Sequence, residues 1–380
     1  MAEETDVLIV GAGPAGLATA IGLAQQGIDF VVLDALPEAQ NTSRAAVLHA
    51  ATLEALGGLG VTETMIAQGI KVPHFRVRDR DSVLLDTDFS KLKSPTPYTL
   101  MIPQDESEVI LIERLRALGH EVQRPVRVVS VERGADGVSV TADGKEGSRS
   151  FTARYIVGAD GEKSTVREAA GIGFPGHTYG SFLLADVRMD WPIERNEVTL
   201  FFSEAGTLVV APMSKDRYRV VAQMPGAPSQ PTIADVQAVI DARGPRRGAK
   251  VRELLWGSRF QVHHKLADRF RDGPFLLVGD AAHVHSPAGG QGMNLGLRDA
   301  KALSAALAET LRSGSPAPLD AYAGERRASA EEVLEMTDRL TRVATLTNPA
   351  MRWVRNRIIQ AASALGVVRV KAALTLAGYR

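Results

Sequence analysis

Cysteine is absent from the whole chain. That excludes disulfides, cysteine nucleophiles, thiolate metal sites and attachment of a cofactor through cysteinyl sulfur, and no other metal site is expected. An excess of charge of either sign is lacking too: 44 Lys and Arg balance 44 Asp and Glu. This removes the electrostatic case for nucleic acid as the main partner. No uninterrupted apolar run approaches the ~20 residues that span a bilayer. The first residues, Met1-Ala2-Glu3-Glu4-Thr5-Asp6, are acidic, whereas a secretory leader opens on positive charge. A cytoplasmic enzyme is therefore the expectation, and 380 residues, 45% of them hydrophobic, give room for two domains and a sizeable core.

What is present centres on two glycine-aspartate turns far apart in the chain. Val7-Leu8-Ile9-Val10 reads as a fully buried strand. Gly11-Ala12-Gly13-Pro14-Ala15-Gly16 follows, and then a helix that ends near Gly27. In such a turn Gly11 permits the tight reversal, Gly13 lets backbone amides approach a pyrophosphate, and Gly16 lets the helix sit close on the strand. The helix N-terminus adds free N–H donors and partial positive charge. A second buried strand, Phe30-Val31-Val32-Leu33, ends at Asp34, the expected place for an acid that hydrogen-bonds ribose hydroxyls and repels a 2′-phosphate. The second turn is Gly279-Asp280-Ala281-Ala282-His283, after the strand Pro274–Val278 and before a helix over Leu297–Leu311. Asp280 suits ribityl hydroxyls better than phosphate. One ligand touching both turns must be long and extended, and FAD meets that requirement.

Between the turns the pattern changes. Val126–Val131 and Val138–Thr141 predict a hairpin through Ala135-Asp136-Gly137. Tyr155–Gly158 predicts a strand running into Ala159-Asp160-Gly161, with Ser164 opening a helix. From Phe174 to Phe270 short alternating strands (183–189, 198–202, 208–212, 218–224, 260–264) and a helix at 231–243 predict a mostly antiparallel sheet, one wall of a substrate cleft.

In these motifs the chain resembles FAD-dependent aromatic hydroxylases, the single-component (class A) flavoprotein monooxygenases, and most closely their polyketide and phenol hydroxylase branch. The resemblance rests on Gly11–Gly16, on Asp160-Gly161 within Gly158–Arg167, and on Gly279–His283, in that order. It implies an α/β fold: a Rossmann-like FAD-binding domain of the glutathione-reductase type (1–72, 99–173 and 270–345), an inserted antiparallel substrate domain (73–98 and 174–269) and a C-terminal helical segment (346–380). It implies non-covalent FAD, NAD(P)H as transient co-substrate, O2, and a small aromatic substrate. The cofactor-binding set becomes Gly11, Gly13, Pro14, Ala15, Gly16, Asp34, Arg44, Gln104, Val128, Asp160, Gly279, Asp280 and, in the loop before the last helix, Pro287, Gly290, Gly292, Met293 and Asn294. Ala51 stands where many members carry arginine. Many members also carry a thioredoxin-like C-terminal domain, for which this length leaves no room.

By the same resemblance, reduced flavin and oxygen give a C4a-hydroperoxide whose distal oxygen passes to an electron-rich ring, in a site kept dry. The flavin carries the chemistry, so no protein nucleophile is expected. A base that deprotonates a phenol would help; His263, His264, Tyr179 and Tyr218 are the candidates, each equally suited to a structural role, while His283 is expected to brace its turn. Baeyer–Villiger oxidation and epoxidation stay open. A halogenase would carry Trp-x-Trp-x-Ile-Pro, and only Trp191-Pro192-Ile193 is found. A non-catalytic binding protein of this fold would be expected to have lost the cofactor motifs. Monomer and homodimer are both compatible with the sequence. From Asn348 to Arg380 there are six basic residues and no acid. Met351, Val354, Ile358, Ala362 and Leu365 share a helical face, either docked on the core with the arginines in solvent or laid on an anionic membrane.

Overall fold

The computed structural model describes residues 2–39, 45–213, 216–286, 289–344, 346 and 348–379. Arg44, Pro287 and the side chain of Tyr179 lie outside the described residues. The core of the molecule is a parallel run of five strands, in the order Phe275–Leu277, Gly147–Gly158, Glu3–Val10, Phe30–Leu33, Val122–Gln123. Val7, Leu8 and Ile9 are completely buried, as β-branched and aliphatic residues must be in a strand covered on both faces. The helix Pro14–Ala24 covers one face. It packs so closely on the helix Gly292–Ser313 that a Cβ on Gly22 would fall 2.2 Å from Ser304 Oγ. The expected hairpin is present: Val126–Arg133 and Val138–Gly144 pair antiparallel, and the second also pairs with the first half of Gly147–Gly158.

A second, eight-stranded sheet runs in the order His283–Val284, Lys250–Leu266, Gly176–Asp190, Arg217–Gln223, Gly206–Pro212, Glu197–Ser203, His74–Asp79, Ser82–Asp88. It is antiparallel except for one pair, Glu197–Ser203 with His74–Asp79. Two of its strands are far longer than their sequence pattern predicts: 183–189 grows to Gly176–Asp190, and 260–264 to Lys250–Leu266. These two pair with each other along their length through three register shifts. Each shift breaks the period-two alternation by which a strand is read. The sheet has two working faces. Leu183, Ala185, Val187, Tyr218 and Val220 point outward against the helix Ile233–Arg243, whose N-terminus is closed by a Thr232–Asp235 capping box. The alternate residues Leu184, Arg219 and Val221 point inward to a cavity.

The C-terminal part forms the helices Ala317–Ala344, Pro349–Ala364 and Gly366–Leu376, the last two bent by 99°. The expected docking of the Met351–Leu365 apolar face is overturned. Met351, Val354, Ile358 and Leu365 are exposed, while Arg355 is only 6% exposed. The reason is local: the Arg355 guanidinium donates to the carbonyls of Val343 (3.0 Å) and Ala344 (3.4 Å) and lies 4.8 Å from the Phe202 ring centre. It satisfies the orphan carbonyls at the end of the preceding helix, and that fixes which face turns inward.

Candidate functional site

Both glycine-aspartate turns open onto one cavity of about 560 Å³ between the two sheets. The first turn is built by exclusion. Gly11 has φ +101°, and a Cβ there would meet the Ala159 carbonyl at 2.3 Å; on Gly16 it would meet the Gly11 carbonyl at 2.0 Å. Gly13 is different. Its Cβ would meet nothing within 4 Å, because it faces the cavity. The N–H of Ala12 donates to Asp34 Oδ2 (2.7 Å) and that of Leu36 to Asp34 Oδ1 (2.8 Å). Arg124 Nη2 stands 3.7 Å from the same carboxylate. Asp34 is thus held rigidly at the cavity wall.

The second turn closes against the first. Gly279, at φ +64°, lies with its would-be Cβ 3.0 Å from Ala15 Cβ, and a Cβ on Gly296 would fall 3.2 Å from Gly279 Cα. The side chain of Asp280 is exposed at the cavity. His283 braces the turn as expected: its Nε2 is 2.7 Å from Asp299 Oδ2, and Arg326 Nε holds the other oxygen of Asp299 at 2.5 Å.

The glycine loop before the last long core helix is fastened rather than loose. Asn294 Nδ2 donates to the carbonyls of Val47 and Gly290, both at 2.7 Å, and its Oδ1 accepts from the His49 N–H at 2.8 Å. Gly290, Gly292 and Met293 line the cavity, whereas Asn294 holds the loop from behind. The C-terminus contributes: Gln291 Nε2 donates to the Leu376 carbonyl (3.0 Å), and Ala51 N–H to that of Ala377 (3.1 Å). Ala51, where arginine is common, has its Cβ 3.3 Å from the position of a Cβ on Gly378. The C-terminal turn occupies the space a longer side chain would need.

Of the remaining expected residues, Pro14, Ala15 and Gln104 line the cavity. Gln104 Oε1 accepts from Ala45 N–H (3.3 Å), and its Nε2 donates to Glu108 (2.8 Å). Asp160 is turned away: its Oδ2 accepts from Val166 N–H (3.2 Å), and only its neighbours Ala159 and Gly161 reach the cavity. Burial raises the Asp160 carboxyl, partly offset by hydrogen bonds from Ser164 and Val166. The Val128 side chain is core, outside the cavity lining.

Four residues escaped the sequence reading. His49 lies in the cavity wall, fully buried, with Nε2 2.7 Å from the Gly289 carbonyl. Burial pushes its pKa down to about 4, so it is neutral and donates from Nε2. Glu108 and Arg124 flank Asp34 in the lining. Burial raises the Glu108 carboxyl, opposed by the Gln104 hydrogen bond. Arg219, on the inner face of the second sheet, binds Asp186 through Nε (2.8 Å) and Nη2 (2.9 Å), and reaches the Ala45 carbonyl with Nη1 (3.0 Å). Burial would raise Asp186, but Arg219 and Arg217 outweigh it and hold the carboxyl below its ordinary range. His49 is a solitary polar residue in an apolar stretch and the other three stand among polar neighbours, so only the fold shows what they face.

The candidate bases separate. His263 lines the cavity, with Nδ1 2.9 Å from Thr178 Oγ1 and Nε2 3.6 Å from Glu162. His264 is outside the lining and stacks on His177 at 4.7 Å. Tyr218 sits on the outer face, its ring 4.7 Å from the Arg195 guanidinium and 6.2 Å from Trp191; as a base it is ruled out by position. The second sheet contributes an apolar side to the cavity, Phe75, Leu184, Leu200, Val209, Val221 and Phe260, with Gln261, and His285 and Ser286 also line the cavity.

Two glycine turns, the carboxylates of Asp34 and Asp280 and an apolar compartment share this one cavity. The chain belongs to the family described as FAD binding domain, which matches residues 4–337. It is 36% identical over 364 residues to an uncharacterised aromatic compound monooxygenase of Bacillus subtilis, covering 92% of this chain and 71% of that one. Its fold matches the anhydrotetracycline hydroxylase of Streptomyces rimosus (TM-score 0.82, 32% identity, 99% of this chain and 77% of that one). It also matches p-nitrophenol 4-monooxygenase of Pseudomonas putida (TM-score 0.87, 26% identity, 100% of both chains). The chain is a flavin-dependent monooxygenase.

Proposed function

We propose that the protein hydroxylates a small aromatic, phenolic or polyketide-like compound, using FAD, NAD(P)H and O2. The carrying observation is that a single cavity joins the two glycine-aspartate turns to the apolar face of the second sheet. In this reading the parallel sheet is a Rossmann-like domain of the glutathione-reductase type, over 1–72, 99–173 and 270–345, and 73–98 with 174–269 form the substrate domain. Bound FAD supplies electron transfer from NAD(P)H to oxygen and delivery of one oxygen atom to the ring.

The residues present fit that group. Gly13 leaves room at the helix N-terminus for a diphosphate. Asp34 takes the adenosine ribose and Asp280 the ribityl chain. Gly290, Gly292 and Met293 line the cavity, where their amides would serve the ring system, N–H donors stabilising its negative charge. Asn294, His49 and Gln291 keep that loop in place. Because His49 is neutral, it adds no positive charge beside the ring system. Leu184, Leu200, Val221 and Phe260 exclude water from the substrate side. His263 is the titratable candidate there that could take a phenolic proton.

A screen of phenols and fused-ring aromatics for stimulated NAD(P)H oxidation, with hydroxylated product and peroxide both counted, tests the proposal. Product formed in step with NAD(P)H consumed supports it. A protein that yields only peroxide with every compound stimulating oxidation counts against it.

A further inference from the structure

We propose that the elbow formed by the helices Pro349–Ala364 and Gly366–Leu376 is a docking surface for an anionic lipid bilayer. The first helix buries Arg355 and turns its apolar stripe outward, and the stripe continues on the exposed side of the second. Met351, Val354, Ile358, Leu365, Val367 and Val370 are 47–81% exposed. Successive members lie two to seven residues apart, so they form a stripe along one side of the first helix, through the exposed bend at Leu365–Val367, and onto the second helix. Inward, the first helix sets polar residues beside Ile359, and the second buries Ala373 and Leu376. Arg355 is buried against the end of Ala317–Ala344, Asn356 donates to Asp79 at 2.7 Å, and Arg352 lies 3.3 Å from Glu204.

The charge of the stripe selects the occupant. No Asp or Glu occurs from Asn348 to Arg380. Arg357, Arg369 and Lys371 are exposed beside the apolar residues, and the Arg357 guanidinium lies 5.6 Å from the ring centre of Trp353, itself exposed. An aromatic ring beside a cation and an aliphatic stripe suits the headgroup boundary of a bilayer, where amphipathic side chains settle. A second copy fits worse. A twofold contact would set this basic patch against itself, with no acid in the segment to neutralise it. No single described helix is long and apolar enough to cross a membrane, and the two that together reach that length and composition are bent by 99°. The elbow also packs on the strand Ser82–Asp88, which leaves only its outer side for lipid. The surface therefore lies on the bilayer plane.

The test is sedimentation of the full-length protein with vesicles of phosphatidylcholine containing phosphatidylglycerol, against vesicles of phosphatidylcholine alone. The expected result is binding to the anionic vesicles that is lost at high salt. Each exposed cation contributes roughly fivefold in partitioning, so the triple variant Arg357→Gln/Arg369→Gln/Lys371→Gln should bind about a hundredfold more weakly. Ile358→Asp/Val367→Asp should lose vesicle binding while keeping the circular dichroism and bound flavin of the parent. No binding to anionic vesicles at low salt overturns the proposal, as does equal binding to neutral ones. Light scattering provides a further arm: a dimer that Ile358→Asp/Val367→Asp converts to monomer, with no vesicle binding by the parent, assigns the face to a second copy instead. Vesicle binding is read without turnover, so it stands or falls separately from the proposed hydroxylation.

Discussion

Gly13 and Gly16 are three residues apart, yet the structure assigns them opposite sensitivities to the same substitution. Gly13 has φ −74° and ψ 179°, extended backbone open to any residue, and an added Cβ there meets nothing within 4 Å. Gly13→Ala should therefore change the stability of the flavin-free protein by less than about 0.5 kcal/mol, as at an unconstrained surface site. The same methyl group would project into the space assigned to the FAD diphosphate. Overpacking by a methyl costs roughly 1–3 kcal/mol, which corresponds to about 5- to 150-fold in Kd. Gly16→Ala reverses the pattern. Its Cβ would lie 2.0 Å from the Gly11 carbonyl and 3.1 Å from Ala159 Cβ, with backbone in the way, so the helix must move off the strand. Stability should fall by about 1–3 kcal/mol or more, with or without flavin. Urea unfolding of both apoproteins and titration of FAD fluorescence against each give the two numbers. An unchanged FAD Kd in Gly13→Ala would refute placement of the diphosphate at this turn.

Four further outcomes follow from the structure. Asp186→Asn should cost about 3–5 kcal/mol by leaving Arg219 buried without its carboxylate, read as a loss in chemical unfolding; a change below ~1 kcal/mol would contradict the pairing. The His49 pKa falls from 6.5 to about 4 on folding, so the unfolded chain binds the extra proton between those values and stability rises with pH across that window. At about 1.4 kcal/mol per unit, the parent should lose roughly 3 kcal/mol on acidification through it, and His49→Gln should show a flatter profile. Asp186 and Glu197, whose carboxyls fold with lowered values against burial through their arginine partners, add stability above the unfolded carboxylate range near pH 4. That part is lost as pH falls further, and Asp186→Asn should blunt it. Tyr218→Phe should leave turnover unchanged, since that ring faces Trp191 and Arg195 across the outer face; a large fall in kcat would contradict its placement.

Much of the site was legible because its signals are local. Val7–Val10 with Gly11–Gly16, and Phe30–Leu33 with Asp34, each carry strand, turn and ligand-facing residue within a few positions. The second turn was legible for the same reason. The residues that escaped have partners remote in sequence: His49 meets Gly289, and Arg219 meets Asp186 and Ala45. Asn294, expected at the cofactor, holds the loop from behind instead. Asp160 illustrates the converse. Its motif marks the right place, but the carboxylate is used on the backbone of the helix it precedes. In the second sheet, register shifts blurred the alternation of Lys250–Leu266. In the C-terminal helix, periodicity found the apolar face correctly and its direction wrongly, because one arginine has carbonyls to satisfy.

On the proposed reading this cavity holds an FAD reduced by NAD(P)H and reoxidised by oxygen. The most direct measurement is the visible spectrum of the purified, FAD-reconstituted protein, followed anaerobically on adding NADH or NADPH with a phenol panel and then on admitting air. The expected result is one FAD per chain, bleaching that an aromatic compound accelerates, and return of the oxidised spectrum with oxygen. A protein that stays colourless after reconstitution, or whose flavin neither nicotinamide reduces with any phenol present, would contradict it.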